Sequence, residues 1–498
     1  MQTLTDTIQL FGPLTLLAIL AGTFLGIILG ALPGLSAAMA VALLLPLTYG
    51  LDTIAGIGLL LGAFCGAIAG GSVPAILLNM PGTPGSIATT FDAAPMAANG
   101  RAGKALGLSV AASFLGGTIS ALILMLVSPL IASVALQFGA AEYFSLSILG
   151  LMIIVSISGG SLIKGLIVGL IGMLMSTVGA DQVTGAMRLT FGQMSLLTGI
   201  SLLAVIVGIF AVSQLLLDME KMHEKRPSMK VENALEGAFP RMREVLRNWK
   251  LLLMSSFIGA GVGAVPGAGG SIASIMAYDQ AKRFSKNSKE FGKGAPEGVV
   301  ASESSNNAMV GGALIPMLTL GIPGEGATAV LIGGLMIQGI QPGPMLFDTQ
   351  ATLVYGIFVA FLLANIMMLF VQWWGIRLFV RILRVPQHFL LPLIFIFCAI
   401  GVFSINSDYF DVYLMMALGV LGFFLARFGF GVAPVVIGLI LGGVAETNLR
   451  RGLQTFDGSW EPFFTRPISV TFLILALVFV VFSLRASWRE RKANAVSN

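Results

Sequence analysis

Charge is scarce in this chain. Only 10% of its 498 residues are charged, whereas 56% are hydrophobic. A water-soluble domain of this length can neither expose nor bury so large an apolar excess. The composition therefore excludes a soluble globular protein and predicts an integral membrane protein embedded in the lipid bilayer. The formal net charge of +5 then reflects cytoplasmic loops, so nucleic acid is not predicted as a partner.

Cysteine and histidine are also sparse, with two of each. Cys65 and Cys398 lie in separate apolar runs, which argues against a disulfide or a thiolate metal site. His223 and His388 are too few for a zinc or haem site, so no metal and no other cofactor is predicted. No Ser-His, Cys-His or paired-Asp arrangement lies within an apolar segment. Catalytic residues are therefore not predicted, and an intramembrane hydrolase or transferase has little support.

Apolar runs of about twenty residues, the length that a helix needs to cross a bilayer, recur along the chain. Examples are residues 10–29, 53–78, 106–127, 196–217 and 353–374. Several other apolar runs are too short to span and are predicted to be re-entrant. Residues 1–10 lack the basic start of a cleavable signal peptide, so the first run is predicted to be a retained helix.

Two Gly/Pro breaks interrupt these runs, and both occur twice in the same order. The first break reads GALPG at residues 30–34 and GAVPG at 263–267. The second reads GGSVP at 70–74, leading to NMPGTPGS at 79–86, and GGALIP at 311–316, leading to GIPGEG at 321–326. The spacing of roughly 233 to 242 residues between matching breaks predicts an internal duplication. Matched broken helices in two halves of a membrane protein are typical of a transporter's binding site.

Loop charges indicate how the two copies are oriented. Residues 1–10 carry no Lys or Arg, whereas their counterpart 241–250 is basic. The link 49–53 carries only an acid, whereas its counterpart 279–293 is rich in lysine, and the basic exit 101–104 matches an acidic 343–350. Because basic loops stay in the cytoplasm, all three reversals predict copies that face opposite sides of the membrane.

The predicted fold class is therefore an all-α polytopic membrane protein with two inverted repeats, whose broken or re-entrant helices meet near the bilayer midplane. The predicted domains are a first repeat half at 1–217, a cytoplasmic linker with an interfacial helix at 218–250, and a second repeat half at 251–498. The N-terminus is predicted to be periplasmic and the C-terminus cytoplasmic.

The breaks supply the candidate site residues, because freed backbone groups at membrane depth must be buried in protein or line a wet cavity. Half-helix N-termini attract anions, and unwound carbonyls attract cations. A single Gly-Pro is more often structural, but the duplication favours a site. The predicted substrate-binding residues are Asn79, Pro81, Gly82, Thr83, Gly85, Ser86, Asn306, Asn307, Pro323, Gly324 and Thr328. The predicted cation-binding residues are Pro33, Gly34, Ser36, Pro266, Gly267, Ser271 and Glu303.

Two acids near the breaks have alternative interpretations. Glu303 is an intramembrane carboxylate, which is a functional candidate by default, but it is equally compatible with a helix cap at the surface. Glu325 lies in a Gly-rich turn and is equally compatible with a solvated side chain.

At these motifs the sequence resembles the large membrane subunit of the tripartite tricarboxylate transporter family, called TctA. The resemblance is carried by residues 30–34, by 79–86 with Phe91 and Asp92 after them, by 303–308 leading through 311–316 to 321–324, and by QPGP at 341–344. The sequence departs from the family's pattern at Ser302, where a proline is expected in many relatives, and at Glu325, where small polar residues are common. These departures leave the identity of the substrate open.

The resemblance implies a secondary transporter of the bacterial inner membrane that takes up citrate or a related organic carboxylate, driven by a gradient of Na⁺ or H⁺. It also implies two partners, a small four-helix membrane subunit similar to TctB and a periplasmic solute-binding protein similar to TctC. No phosphate-binding loop of the Walker type is present, which fits an ion-driven carrier. The alternative is a stand-alone organic-anion carrier or channel that uses the same broken helices without a binding protein.

Overall fold

The fold is almost entirely α-helical. A computed structural model of the chain describes residues 2–157, 162–181, 184–220, 238–382 and 387–497. The helices in chain order are α1 Gln2–Gln9, α2 Pro13–Ala31, α3 Ala37–Leu44, α4 Thr53–Gly70, α5 Ser72–Leu78, α6 Ile87–Met96, α7 Ala102–Ala135, α8 Ala140–Ile157, α9 Leu162–Ser176, α10 Leu202–Ile206, α11 Ser213–Glu220, α12 Met242–Arg247, α13 Trp249–Gly263, α14 Gly269–Phe284, α15 Pro296–Leu320, α16 Gly326–Ile337, α17 Pro344–Thr349, α18 Ala351–Ile382, α19 Gln387–Asn406, α20 Tyr409–Arg427, α21 Ala433–Thr455, α22 Glu461–Thr465 and α23 Pro467–Ser497. The strands within the described residues, β1 Gly179–Ala180 and β2 Met187–Arg188, form one antiparallel pair.

Seven helical stretches among the described residues are long and apolar enough to cross a membrane. They are Pro13–Ala31, Thr53–Leu78, Pro84–Ala135, Leu202–Glu220, Ala351–Phe379, Tyr409–Arg427 and Ala433–Thr455. The prediction of an all-α, multi-pass membrane protein is confirmed. Shorter apolar helices accompany these spans, among them α3, α13 and α16. Whether such helices are re-entrant stays a prediction.

The chain forms two compact units that alternate along the sequence. Unit 1 comprises residues 1–132 and 218–397, and unit 2 comprises residues 133–217 and 398–498. The predicted repeat halves, 1–217 and 251–498, were drawn from the repeated motifs and not from contacts. That division stays a prediction. Most of the predicted linker, residues 221–237, lies outside the described residues. Its residues around α12 contact α7, where the Arg241 N–H donates to the carbonyl of Gly107 at 3.0 Å and Glu244 pairs with Lys104 at 3.1 Å.

Unit 1 contains two stretches with the same helix order. The first copy, α2–α7, and the second copy, α13–α18, each run helix, Pro-Gly break, helix, longer helix, Pro-Gly tip and two further helices; the first adds the short α5 before its tip and the second the short α17 after α16. Their packing matches at equivalent glycines. A Cβ atom on Gly26 would lie 2.4 Å from the carbonyl oxygen of Ala63, and one on Gly259 would lie 2.2 Å from that of Ser305. Glycine is required at both places because the helix backbones touch there.

The two copies also pack against each other reciprocally. The helix that follows the first break of one copy contacts the helix that follows the second break of the other: α3 packs on α16, and α14 packs on α6. Reciprocal contacts of this kind are expected when two copies are related by a two-fold axis. That the two copies have opposite orientations in the membrane stays a prediction.

Unit 2 has its own helical core and a charged cluster. Helix α21 packs on α8 and α9, and α23 packs on α8. Arg450 lies 2.6 Å from Asp181 and 2.8 Å from Glu446, and Arg188 lies 2.6 Å from Glu446. These four side chains join the β1–β2 hairpin to α21, so the cluster is structural in character.

Candidate functional site

Each copy carries a Pro-Gly tip that begins in the same way. In the first copy the tip starts at Asn79, which ends α5 in the left-handed conformation with φ 56°. In the second copy it starts at Gly321, which ends α15 with φ 70°. The N–H of each residue donates to the carbonyl of the proline five positions earlier, Pro74 or Pro316. A left-handed residue favours Gly or Asn, which explains the residue types at both positions.

The tip of each copy folds back onto the first break of the same copy. A Cβ atom on Gly82 would lie 2.3 Å from the carbonyl oxygen of Gly30, and one on Gly324 would lie 2.8 Å from that of Gly263. The Gly267 N–H also donates to the carbonyl of Gly324 at 2.6 Å. The two breaks of a copy therefore form one feature in which backbone touches backbone, and neither tip glycine can be replaced without displacing it.

Hydroxyl side chains lie at the start of the helix that follows each tip. The hydroxyl groups of Thr83 and Ser86 lie 3.3 Å apart just before α6. At the matching place before α16, the Glu325 N–H donates to the hydroxyl of Thr328 at 2.8 Å. Pro81 and Pro323 precede these hydroxyl groups, Pro81 half-buried and Pro323 buried. A helix thus begins directly after the second break in both copies.

The first breaks differ in exposure. Pro33 is buried and Gly34 is exposed with φ 103°, whereas Pro266 and Gly267 are half-buried, Gly267 with φ 83°. The hydroxyl of Ser36 accepts from the Met39 N–H at 3.2 Å and so caps α3. Ser271 is half-buried in the first turn of α14. The hydroxyl of Ser36 therefore already has a structural role in capping.

Asn306 joins the two copies. A Cβ atom on Gly85, just before α6, would lie 2.0 Å from Oδ1 of Asn306, and one on Gly270, in the first turn of α14, would lie 2.7 Å from the same atom. Asn306 is fully buried, and neither its Nδ2 nor its Oδ1 has a hydrogen-bond partner among the described residues. An unpaired buried amide costs about 1–3 kcal/mol, so this side chain is not retained for stability. It lies between two helix N-termini, one from each copy.

The position of the first copy that matches Asn306 is apolar. The residue of α4 that matches Asn306 is Phe64, and Ala327 and Ala37 match Gly85 and Gly270. Phe64 is fully buried. The two stretches therefore differ at this point, because only the second has a polar side chain, Asn306, that glycine backbone approaches closely.

A buried acid lies one turn before Asn306. Glu303 is fully buried within α15, which begins at Pro296, so it does not cap the start of that helix. The hydroxyl of Thr89 in α6 donates to Oε1 of Glu303, and that of Ser113 in α7 donates to Oε2 at 3.0 Å. Asn307 completes the cluster, because its Nδ2 donates to the Ser113 hydroxyl at 2.8 Å and to the Glu303 carbonyl at 3.0 Å.

The predicted residues therefore separate into three places. Thr83, Gly85, Ser86 and Asn306 lie at the junction of the copies, with Glu303 and Asn307 next along α15. Pro323 lies in the second tip and Thr328 in the first turn of α16. Asn79 is exposed, and no hydrogen bond joins it to Asn307 or Thr328 among the described residues.

Sequence reasoning did not assign a role to Asp92, which is fully buried. Its Oδ1 accepts from the N–H groups of Gly292, Gly294 and Ala295, each at 2.8 Å, and its Oδ2 accepts from the Tyr278 hydroxyl at 2.9 Å. This carboxylate fastens the loop between α14 and α15 to α6. In the sequence, Asp92 is recognisable only as a single acid that follows the first tip.

Glu325 faces the start of α14. The Cβ position of Gly269 lies 3.7 Å from Oε2 of Glu325, and the side chain is half-buried rather than solvated. Another acid lies beside a break without having been predicted there. Oδ1 of Asp218 in α11 lies 3.0 Å from the Cβ position of Gly34. The linker that was predicted to begin at Asp218 therefore starts with a buried side chain.

Comparison with known proteins places this architecture in a family. The family model described as the tripartite tricarboxylate transporter TctA family matches residues 16–437. The chain belongs to the tripartite tricarboxylate transporter TctA family. This TctA-family protein therefore comes from a family of transporters, the large membrane subunits of tripartite systems that generally work with TctB and TctC partners, and not from a family of enzymes.

Two relatives of this TctA-family protein come from Agrobacterium vitis. One is named as an uncharacterised 52.8 kDa protein in the TAR-I ttuC′ 3′ region; it is 37% identical over 480 residues, covering 96% of this chain and 95% of the relative. The other is named as an uncharacterised protein in the TAR-II ttuC′ 3′ region; it is 40% identical over 234 residues, covering 47% of this chain and 97% of the relative. No solved structure matches the chain significantly.

Proposed function

We propose that this chain is the large membrane subunit of a tripartite secondary transporter that takes up a tricarboxylate or related organic carboxylate by cation-coupled symport. A periplasmic binding protein delivers the solute, and a small four-helix subunit completes the complex in the bacterial inner membrane. The N-terminus is periplasmic and the C-terminus cytoplasmic. Family membership and the multi-pass helical fold support this proposal.

The observation that carries the proposal is the unpaired Asn306 amide between the two copies. Its Nδ2 group is a donor for a carboxylate oxygen, and the N-termini of α6 and α14 add backbone donors and the positive ends of two helix dipoles. Gly85 and Gly270 let the backbone come close to whatever binds there. A carboxylate is the ligand whose charge and geometry suit these donors best.

The same geometry argues for a coupling cation. Glu303 and Glu325 are the acids near the junction, and the tips at 79–86 and 321–326 contain no lysine or arginine. A solute with several carboxylates therefore adds negative charge to a region that already holds some, in a low dielectric. Helix dipoles offset only part of that charge, so a cation that enters with the solute supplies the rest.

Reconstitution of the complete transporter tests the proposal. The chain is placed in proteoliposomes with the small subunit and the binding protein from the same genome, and uptake of labelled citrate and other di- and tricarboxylates is measured under a Na⁺ or pH gradient. We expect uptake only when all three proteins and a gradient are present. Uptake by the chain alone would favour the stand-alone carrier, and uptake that stops only on depletion of ATP would contradict symport.

A further inference from the structure

Glu303 is the buried group from which the inference starts. Hydroxyl groups contact both of its carboxyl oxygens, Thr89 from α6 and Ser113 from α7, and the Thr89 hydroxyl also lies 3.2 Å from that of Ser302. No lysine or arginine among the described residues forms an ion pair with Glu303. A fully buried carboxylate without a basic partner needs a proton or a cation to compensate its charge.

The groups on the neighbouring helices do not supply that compensation. On α6, Asp92 is negative and its two oxygens are already used by three N–H groups and by Tyr278 of α14. On α7, Lys104 pairs with Glu244 instead. The remaining titratable groups on the packed elements include Lys250 at the start of α13, which lies over Trp249, and Asp279 of α14, which pairs with Arg283. They also include the exposed Lys282 of α14 and Asp348 of α17, Cys65 of α4, and Glu325 before α16. None of the basic groups among them pairs with Glu303 in the described part of the chain.

The size of the cluster decides which cation fits. The Ser302 hydroxyl, the Thr89 hydroxyl, the Glu303 carboxylate and the Ser113 hydroxyl form a chain in which each group lies within hydrogen-bond distance of the next. A metal ion would have to enter between them at about 2.3–2.6 Å from each oxygen, as hard cations do with oxygen ligands, and would push α6 and α7 away from α15. A proton needs no such room, because hydroxyl groups accept as readily as they donate.

We propose that Glu303 binds the coupling proton of this transporter. This inference rests on the proposed function and assigns its coupling step to one residue. When the solute enters, the Glu303 carboxylate takes up one proton, the Thr89 and Ser113 hydroxyls reorient, and the proton leaves when the solute leaves; no bond of the solute changes. Helix α15 links the solute site to the proton site, because Asn306 follows Glu303 by three positions, about 5–6 Å along one helix face. The segment around the start of α6 is a second link, because Gly85, just before α6, approaches Asn306 and Thr89 of α6 donates to Glu303.

The test uses the complete transporter in proteoliposomes and two readouts, accumulation of labelled solute under a pH gradient and solute exchange without a gradient. For Glu303→Gln, we expect the ratio of accumulation to exchange to fall about tenfold or more, and the exchange to lose its dependence on pH. Glu297→Gln, in the first turn of the same helix, is the matched control and should retain the ratio of the unsubstituted protein. A Glu303→Gln variant that keeps both the ratio and the pH dependence would overturn the inference, as would accumulation that follows Na⁺ and ignores the pH gradient.

A second variant covers failure of Glu303→Gln to reach the membrane. Thr89→Val removes a hydroxyl that stabilises the ionised Glu303 while keeping its shape, so the pH dependence of accumulation should move to higher pH. An unchanged pH dependence in this variant would count against Glu303. If the unsubstituted complex shows no exchange of any carboxylate, the proposed function itself fails, and that result is distinct from failure of the proton site.

Discussion

The Cβ position of Gly85 lies 2.0 Å from the amide oxygen of Asn306, so no side chain fits between the first tip and α15. Gly270 approaches the same oxygen from the second copy. The chain thus brings two half-helix N-termini from different copies to one unpaired amide. This contact is the basis of the proposed function.

Adding a methyl group at the junction should impair transport. Gly85→Ala and Gly270→Ala force the Asn306 amide or the helix ends apart, and overpacking of this kind costs about 1–3 kcal/mol. We expect uptake by the reconstituted complex to fall by roughly tenfold or more, a factor that corresponds to about 1.4 kcal/mol. Gly261→Ala is the matched control, because nothing lies within 4 Å of a Cβ atom there. Equal uptake by all three variants would show that the close approach at Asn306 is irrelevant to transport.

Replacing Asn306 should separate stability from function. Both polar atoms of this side chain lack partners among the described residues, so Asn306→Leu replaces a buried unpaired amide by an apolar side chain with the same number of heavy atoms. We expect the thermal midpoint of the purified protein to rise, with a gain of about 1–3 kcal/mol, while uptake is lost. Thermal unfolding followed by intrinsic fluorescence measures the first effect. A variant that is less stable than the unsubstituted protein would indicate that the amide is paired after all.

Asp92 should be needed for stability more than for transport. Its carboxylate accepts three N–H groups and one hydroxyl, and hydrogen bonds to a charged group contribute about 1.5–3 kcal/mol. Asp92→Asn should therefore lower the thermal midpoint and increase proteolysis of the loop between α14 and α15. Asp279→Asn is the comparison, because the Asp279–Arg283 pair is exposed and pairs of that kind contribute little. A larger loss in Asp279→Asn than in Asp92→Asn would refute the anchoring role.

Much of unit 1 could be predicted from the sequence, because the breaks are local signals. Proline and glycine mark where helices end, and the left-handed residues Asn79 and Gly321 lie where the second break predicts a tip. The duplication follows from their order. That Asn306 would lie between Gly85 and Gly270 could not be predicted, because no local pattern connects the three residues along the chain.

Hydrogen-bonded pairs that are far apart in the chain could not be predicted from the sequence either. Asp92 reaches residues about 200 positions away in the chain, and Glu303 meets hydroxyl groups from α6 and α7 that no spacing rule connects to it. The alternation of units 1 and 2 along the sequence likewise depends on tertiary contacts, whereas the repeat division depends on sequence similarity. Local patterns predict helices and their ends, but the partners of buried polar groups are set by packing.

The inverted arrangement of the copies is tested by accessibility. Asp52 and Ser288, in matching links of the two copies, are both exposed, and the native cysteines Cys65 and Cys398 are buried. In a Cys65→Ala, Cys398→Ala background, Asp52→Cys should react with a membrane-impermeant maleimide from the periplasm and Ser288→Cys only after the cytoplasmic side is opened. Reaction of both from one side would rule out inversion.

Solute affinity tests the central claim most directly. The complex is purified with its small subunit, and binding of labelled citrate and related carboxylates is measured at equilibrium for the unsubstituted protein, for Asn306→Leu and for Gly261→Ala. The account predicts saturable binding that weakens about tenfold or more in Asn306→Leu, since the loss of one hydrogen bond to a charged group is worth about 1.5–3 kcal/mol, and that is unchanged in Gly261→Ala. Equal affinity in the unsubstituted protein and Asn306→Leu would contradict the claim that this amide holds the solute.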